Sequence, residues 1–200
     1  MRIIGVTGGV GSGKSAVLNY LEEHFDSRVV KADEVGHLLM MPGRECYEPI
    51  IELFGEWVVK EDTSLDRQAI ASIVFQQPDM LKKLDDIVHP AVYRYIVKEI
   101  ERSRKEETEF FFIEAALLLE EKYDEICDEM WYIYCEKEVR KERLRHDRGY
   151  SDEKIESLMK NQLSEEEFES RCDFQIYNSE DVAYTYLQIE RRMRMYYEFM

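Results

Sequence analysis

The chain has 200 residues, 27 of them Lys or Arg and 43 Asp or Glu, for a formal net charge of −16. That length fits one domain with room for an insertion or a lid, and 44% hydrophobic with 12% aromatic residues is enough for a core. The acidic balance argues against a general nucleic-acid binder, and no apolar run reaches the length of a membrane span.

Arg2 to Thr7 is short and apolar, the pattern of a buried strand, and the sequence begins with no cleavable signal pattern ahead of it. Gly8-Gly9-Val10-Gly11-Ser12-Gly13-Lys14-Ser15 follows and fits G-x-x-x-x-G-K-[ST], the phosphate-binding P-loop. Ala16 to Leu21 then reads as a helix, so the motif sits between strand and helix as its chemistry requires. Glycines let backbone N–H groups converge on phosphate oxygens. The helix N-terminus adds partial positive charge. Lys14 is placed to reach the β- and γ-phosphates, and the Ser15 hydroxyl to ligate Mg²⁺. Ser27 to Lys31 predicts a second strand, with Asp33 just past its end. In an open α/β sheet that edge binds ligands. Asp33 there either accepts the proton of an attacking hydroxyl or helps hold Mg²⁺; the alternative is an N-cap of a helix from Glu34 to Met41.

The interval to residue 109 is too long for one crossover helix. Amphipathic stretches at Glu45 to Phe54, Asp66 to Phe75 and Pro78 to about Glu106 predict a helical insertion. Pro78 suits a first helical turn, and Pro90 should kink or divide the long stretch. Phe110 to Ile113, Met130 to Tyr134 and Phe174 to Tyr177 complete five strands. Arg143 to Glu169 is charged and helical, placed as a lid, and Asp181 to Met200 predicts a closing amphipathic helix. The alternation implies an α/β fold: a P-loop NTPase-type three-layer sandwich with a five-stranded parallel sheet. The core is expected at about 1–33, 108–142 and 170–200, the insertion at 34–107 and the lid at 143–169.

A P-loop alone does not choose among kinases, GTPases and motor ATPases. No Asn-Lys-x-Asp for reading guanine is present, and a motor or ABC-type ATPase is normally larger. Cys46, Cys127, Cys135 and Cys172 form no C-x-x-C and are expected reduced and structural in a cytoplasmic enzyme. Phosphate binding by so acidic a chain requires positive groups concentrated in the site.

Further residues carry a resemblance to the dephospho-CoA kinase family. Ile4 to Ser15 resembles that family's P-loop, and Ala32-Asp33 with His37 resembles its Asp-Ala-Asp…His segment. Asp66-Arg67 with Val74-Phe75 resembles its Asp-Arg…Val-Phe. Leu84, Ile87, His89-Pro90 and Val92 resemble its Leu-x-x-Ile-x-His-Pro-x-Val. Leu117, Leu118, Glu120, Arg143-Leu144, Gln162 and Asn178-Ser179 follow in order. The resemblance implies that ATP phosphorylates the ribose 3′-hydroxyl of dephospho-CoA. It implies ATP-phosphate binding by Gly8, Gly9, Gly11, Ser12, Gly13, Lys14 and Ser15, with Mg²⁺ on Ser15, and a catalytic carboxylate at Asp33. It also implies an acceptor site shaped by Asp33, His37, Asp66, Arg67, His89 and Pro90, Arg143 reaching ATP phosphates, and Asn178 near adenine. The expected partners are ATP and dephospho-CoA alone, with no nucleic acid or membrane, in a cytoplasmic monomer. The sequence departs from the family at Lys31, Glu114 and Ala116, and in the lid at Asp147, Leu158 and Phe168, which removes positive charge that Arg145, Arg148 or Lys160 would have to replace.

Each residue also has a plainer reading. His89 is a helix-capping or core histidine, His37 a satisfied one, Arg67 the partner of a surface ion pair with Asp66, and Asn178 a turn residue. The aromatics Tyr184, Tyr186, Tyr196, Tyr197 and Phe199 read as packing. Two rival classes remain: another P-loop small-molecule kinase with a different hydroxyl acceptor, and a non-catalytic relative that binds ATP or CoA.

Overall fold

The computed structural model describes residues 1–115, 118 and 123–198. In chain order they form β1 (Arg2–Thr7), α1 (Lys14–His24), β2 (Ser27–Lys31), α2 (Ala32–Leu39), α3 (Tyr47–Phe54), α4 (Arg67–Gln76), α5 (Pro78–Lys105) and β3 (Phe110–Glu114). Then come β4 (Glu129–Tyr134), α6 (Lys137–Arg148), α7 (Asp152–Lys160), α8 (Glu165–Arg171), β5 (Phe174–Tyr177) and α9 (Val182–Glu198). Short 3₁₀ turns occupy Glu56–Val58 and Tyr123–Ile126. The chain divides into two compact units, one of Met1–Val29 with Glu107–Met200, the other Val30–Glu106.

The five strands form one parallel sheet in the order β2-β3-β1-β4-β5, with helices on both faces. β1 pairs with β3 and β4, and β4 with β5. The central strands β1, β3 and β4 read as near-continuous apolar runs because both faces are covered, whereas the outer β2 and β5 carry polar residues. Phe110, Phe111, Phe112 and Ile113 are all fully buried. On one face Ile4, Val6, Phe110, Phe112, Trp131 and Ile133 meet Leu18 and Leu21 of α1 and Ile189 and Met193 of α9. α1 and α9 are joined by Tyr20, whose ring stacks on Tyr186 with centroids 3.9 Å apart while its hydroxyl donates to Glu190 at 2.7 Å. The foot of α9 is held by buried Glu129. Its carboxylate accepts from Trp131 Nε1 at 2.9 Å, Tyr196 Oη at 2.5 Å and Arg192 Nε at 3.0 Å. Tyr197 packs edge-on against Phe110, and Tyr184 is exposed, whereas Phe199 lies outside the described residues.

In the second unit α2, α3 and α4 pack against α5. At Gly36 a Cβ would lie in ordinary contact with Val88 and Val92, at 3.7 and 3.8 Å, so the packing of α2 on α5 would accept an alanine there. α5 is one helix of 28 residues with Pro90 inside it, so Pro90 does not divide it. Pro90 lies on the exposed side, where water can satisfy the carbonyl it frees. Val88, Ala91, Val92, Ile96 and Ile100 keep the buried stripe continuous past it.

The charged stretch from Arg143 to Glu169 is helical as expected and is divided among the end of α6, all of α7 and most of α8. Gly149 closes α6 in the left-handed region at φ 61°. Ser151 caps α7, and Ser164 forms a capping box with Glu167 at the start of α8.

Candidate active site

The P-loop turns out of β1 at its carboxyl end, and β1 lies between β3 and β4, where an open α/β sheet collects ligands. Gly13 is the N-cap of α1, with φ 88°, a conformation that disfavours any side chain. No side chain caps this helix end, so its first N–H groups suit an anion. Lys14 Nζ donates to the Gly8 carbonyl at 2.8 Å and lies 3.7 Å from Glu114 Oε1 at the end of β3. Ser12 Oγ is buried and lacks a hydrogen-bond partner among the described residues, which is costly for a hydroxyl unless a ligand completes it. Ser15 is exposed.

Side-chain donors hold the loop from outside. Asn178 Nδ2 donates to the Ser12 carbonyl at 2.7 Å, and Asn178 Oδ1 accepts from Thr185 Oγ1 at 2.8 Å. Arg143 Nη1 approaches the same carbonyl at 3.5 Å and Cys135 Sγ at 3.4 Å. Burial pushes the Cys135 thiol pKa up, with the arginine opposing, so the sulfur stays a neutral acceptor. Arg140 Nε donates to the Val10 carbonyl at 2.9 Å. Of the loop amides, the Val10 N–H is taken by Gln162 Oε1 and the Ser12 N–H by the Gly9 carbonyl, so it is the amides at the start of α1 that suit a phosphate.

The structure thus brings Gly8, Gly9, Gly11, Ser12, Gly13, Lys14, Ser15, Arg143 and Asn178 together. It places the Asn178 carboxamide against the loop backbone, 5% exposed and spanning Ser12 and Thr185, rather than as the free turn residue of the plainer reading. Arg140 and Thr185 were not visible as site residues in the sequence. Arg140 carried a usable signal, because it lies three residues before Arg143 and so shares its helix face.

In the second unit Asp33 sits in the first turn of α2, exposed. The N-cap there is Lys31, without a side-chain cap bond, so the capping reading of Asp33 is not what the helix uses. The first-turn position still suits a carboxylate. His37, one turn on, accepts a hydrogen bond at Nε2 from Arg67 Nη2. Because guanidinium only donates, this imidazole is neutral with its proton on Nδ1. Desolvation, then the Arg67 charge, hold its pKa below the usual imidazole value, against Asp33 and Glu34. Asp66 is the N-cap of α4, Oδ1 accepting from Gln68 and Ala69 N–H at 3.1 Å each; it orients the helix that carries Arg67. His89 lies mid-helix, 3.5 Å from Asp85 Oδ1, and is neither a cap nor buried.

Residues 2–183 match the model of the family described as dephospho-CoA kinase. The chain belongs to the dephospho-CoA kinase family. It is 39% identical over 194 residues to the dephospho-CoA kinase of Symbiobacterium thermophilum, covering 97% of this chain and 81% of that one. Among solved structures, TT1252 from Thermus thermophilus superposes with a TM-score of 0.83 at 29% identity, covering 97% of both chains. Dephospho-CoA kinase from Campylobacter jejuni shares the fold, with a TM-score of 0.73 at 23% identity over the full length of both.

Several departures from the dephospho-CoA kinase pattern have local contacts. Lys31 pairs with Glu34 at 3.2 Å. Glu114 keeps a carboxylate beside Lys14. Phe168 is buried and stacked on Tyr132 with centroids 4.8 Å apart, so a cation there would lose packing. Arg145 is held by Asp152 at 2.6 Å and staples α6 to α7, and Asp147 faces His146 at 2.8 Å. Arg148 and Lys160 are exposed, as is Leu158. Ala116, Leu117 and Glu120 lie outside the described residues.

Proposed function

We propose that this chain transfers the γ-phosphoryl group of ATP to the ribose 3′-hydroxyl of dephospho-CoA, giving coenzyme A and ADP. The observation that carries the reading is the intact phosphate loop, uncapped at α1 and joined to Lys14, in a chain that matches the dephospho-CoA kinase family over residues 2–183. Phosphoryl transfer asks for positioning and charge neutralisation more than covalent chemistry. Backbone N–H groups of Gly11, Gly13 and Lys14 bind phosphate oxygens, and Lys14 neutralises charge on the transferred group. Arg143 adds a second cation from α6. Asn178 acts through the Ser12 carbonyl as a positioning residue. Asp33 accepts the proton of the attacking hydroxyl. His37, Asp66, Arg67, His89 and Pro90 shape the acceptor site, within the helical segment 34–107. Helices of segment 143–169 serve as the lid that excludes water.

Mg²⁺ fits the Ser15 hydroxyl. In this reading the ion is held mainly by the phosphates of ATP, with Ser15 as the protein ligand. When bound with ATP it neutralises charge on the β- and γ-oxygens. No helix among the described residues is long and apolar enough to cross a membrane, and the reading places the enzyme in the cytoplasm as a monomer.

The test is ADP release with ATP, Mg²⁺ and dephospho-CoA, with adenosine, AMP and phosphopantetheine as control acceptors. Release dependent on dephospho-CoA alone is expected. Release with a control acceptor but not dephospho-CoA, from folded protein, would refute the reading.

A further inference from the structure

The loop is also gripped at Val10, by residues that neither the motif nor the acceptor segments include. Arg140 is 8% exposed although it is a cation in the middle of α6. Its Nε donates to the Val10 carbonyl at 2.9 Å and its Nη2 to Gln162 Oε1 at 2.9 Å. The same Gln162 oxygen accepts the Val10 N–H at 3.0 Å. Both partners are obligate donors, so the amide must present its oxygen. Val10 is therefore held on both sides: its N–H, in the peptide from Gly9, by the turn between α7 and α8, and its carbonyl, in the peptide to Gly11, by α6. Gly9 is part of the same device, because a Cβ there would collide with the guanidinium.

We propose that Arg140 and Gln162 form a brace that sets the P-loop for ATP and ties the α7–α8 turn to it, with Arg140 as the positioning residue. The inference rests on reading this loop as an ATP site. Arg140 supplies a permanent cation beside the loop; its Nε fixes the Val10 carbonyl while its Nη2 holds the Gln162 oxygen that takes the Val10 N–H. Lys lacks the fork needed to serve both acceptors at once. Arg140 also lines a cavity of about 420 Å³ with Lys137, Met159, Lys160 and Gln162, which gives a small cation room to enter if the side chain is removed.

The experiment measures ATP binding directly, by calorimetry on the full chain, and so does not depend on the acceptor. Arg140→Ala is expected to raise the ATP Kd about tenfold, the effect of losing one charge-assisted hydrogen bond. The KM for dephospho-CoA should change little. Millimolar guanidinium chloride should recover part of the loss where equal sodium chloride does not, a response that a merely structural arginine would not give. Gln162→Leu should weaken ATP binding in the same way, while Gln162→Glu, which keeps the acceptor oxygen, should bind as the wild type does. If Arg140→Ala fails to fold, the Gln162 pair decides. Unchanged ATP Kd in folded Arg140→Ala, or equal binding by Gln162→Leu and Gln162→Glu, overturns the brace. Weakened ATP binding in a chain that does not phosphorylate dephospho-CoA would instead keep the brace and remove the assigned acceptor.

Discussion

Asp33 and His37 are one helical turn apart on α2, yet chemistry asks different things of them. Asp33 makes no cap bond and is exposed, so Asp33→Asn should leave the thermal midpoint and the ATP Kd nearly unchanged. It should lower kcat by about 10²–10⁴, the usual worth of a general base; a normal kcat in that variant would show that the carboxylate is not the proton acceptor. His37 accepts from Arg67 only while neutral. Protonation turns it into a donor facing another cation. Because its pKa is held below the usual imidazole value, the pair survives at neutral pH and is lost only as pH falls below that range. The KM for dephospho-CoA should therefore rise on the acid side, and His37→Gln, which keeps an acceptor oxygen but does not titrate, should remove that limb from the pH profile. An unaltered limb would locate the titration elsewhere. At this scale the P-loop was legible because its chemistry lies in eight consecutive residues. Arg140 and Thr185 were not: Arg140 meets Val10 across 130 residues of sequence, and its one local signal is its place three residues before Arg143 on α6.

The central strands could be read as elements because apolar runs covered on both faces leave a near-continuous pattern, and the five expected strands fall within a residue of β1 to β5. The breaks between α6, α7 and α8 were harder to see, since they depend on Gly149, Ser151 and Ser164 acting as caps within a uniformly charged stretch. Of the two outcomes expected at Pro90, a kink or a division, division does not occur: a proline is tolerated inside a helix when its side faces water and the opposite stripe is packed. The anchoring of α9 gives an element-scale prediction. Glu129 is buried and collects Arg192, Tyr196 and Trp131. Glu129→Ala leaves that arginine without its carboxylate and should cost about 3 kcal/mol in denaturant unfolding, with the ATP Kd unchanged because the cluster lies at the start of β4, away from the loop. A loss below about 1 kcal/mol, the worth of a surface pair, would show that α9 is held by packing alone.

For the whole molecule, a net charge of −16 coexists with a phosphate site because Lys14, Arg140 and Arg143 gather at one loop, each engaging loop carbonyls. Alternation of strands and helices foretold a parallel sheet, but its order, β2-β3-β1-β4-β5, follows from pairing between distant strands that no local pattern encodes. The central claim is transfer of phosphate to one hydroxyl of one acceptor. The most direct measurement incubates the chain with Mg²⁺, dephospho-CoA and ATP labelled in the γ-phosphate, then locates the label by mass and phosphorus NMR. The account predicts label on the ribose 3′-oxygen of coenzyme A, appearing about 10²–10³ times more slowly with folded Lys14→Ala. Label on another oxygen, or its release as free phosphate with dephospho-CoA left intact, would contradict the account.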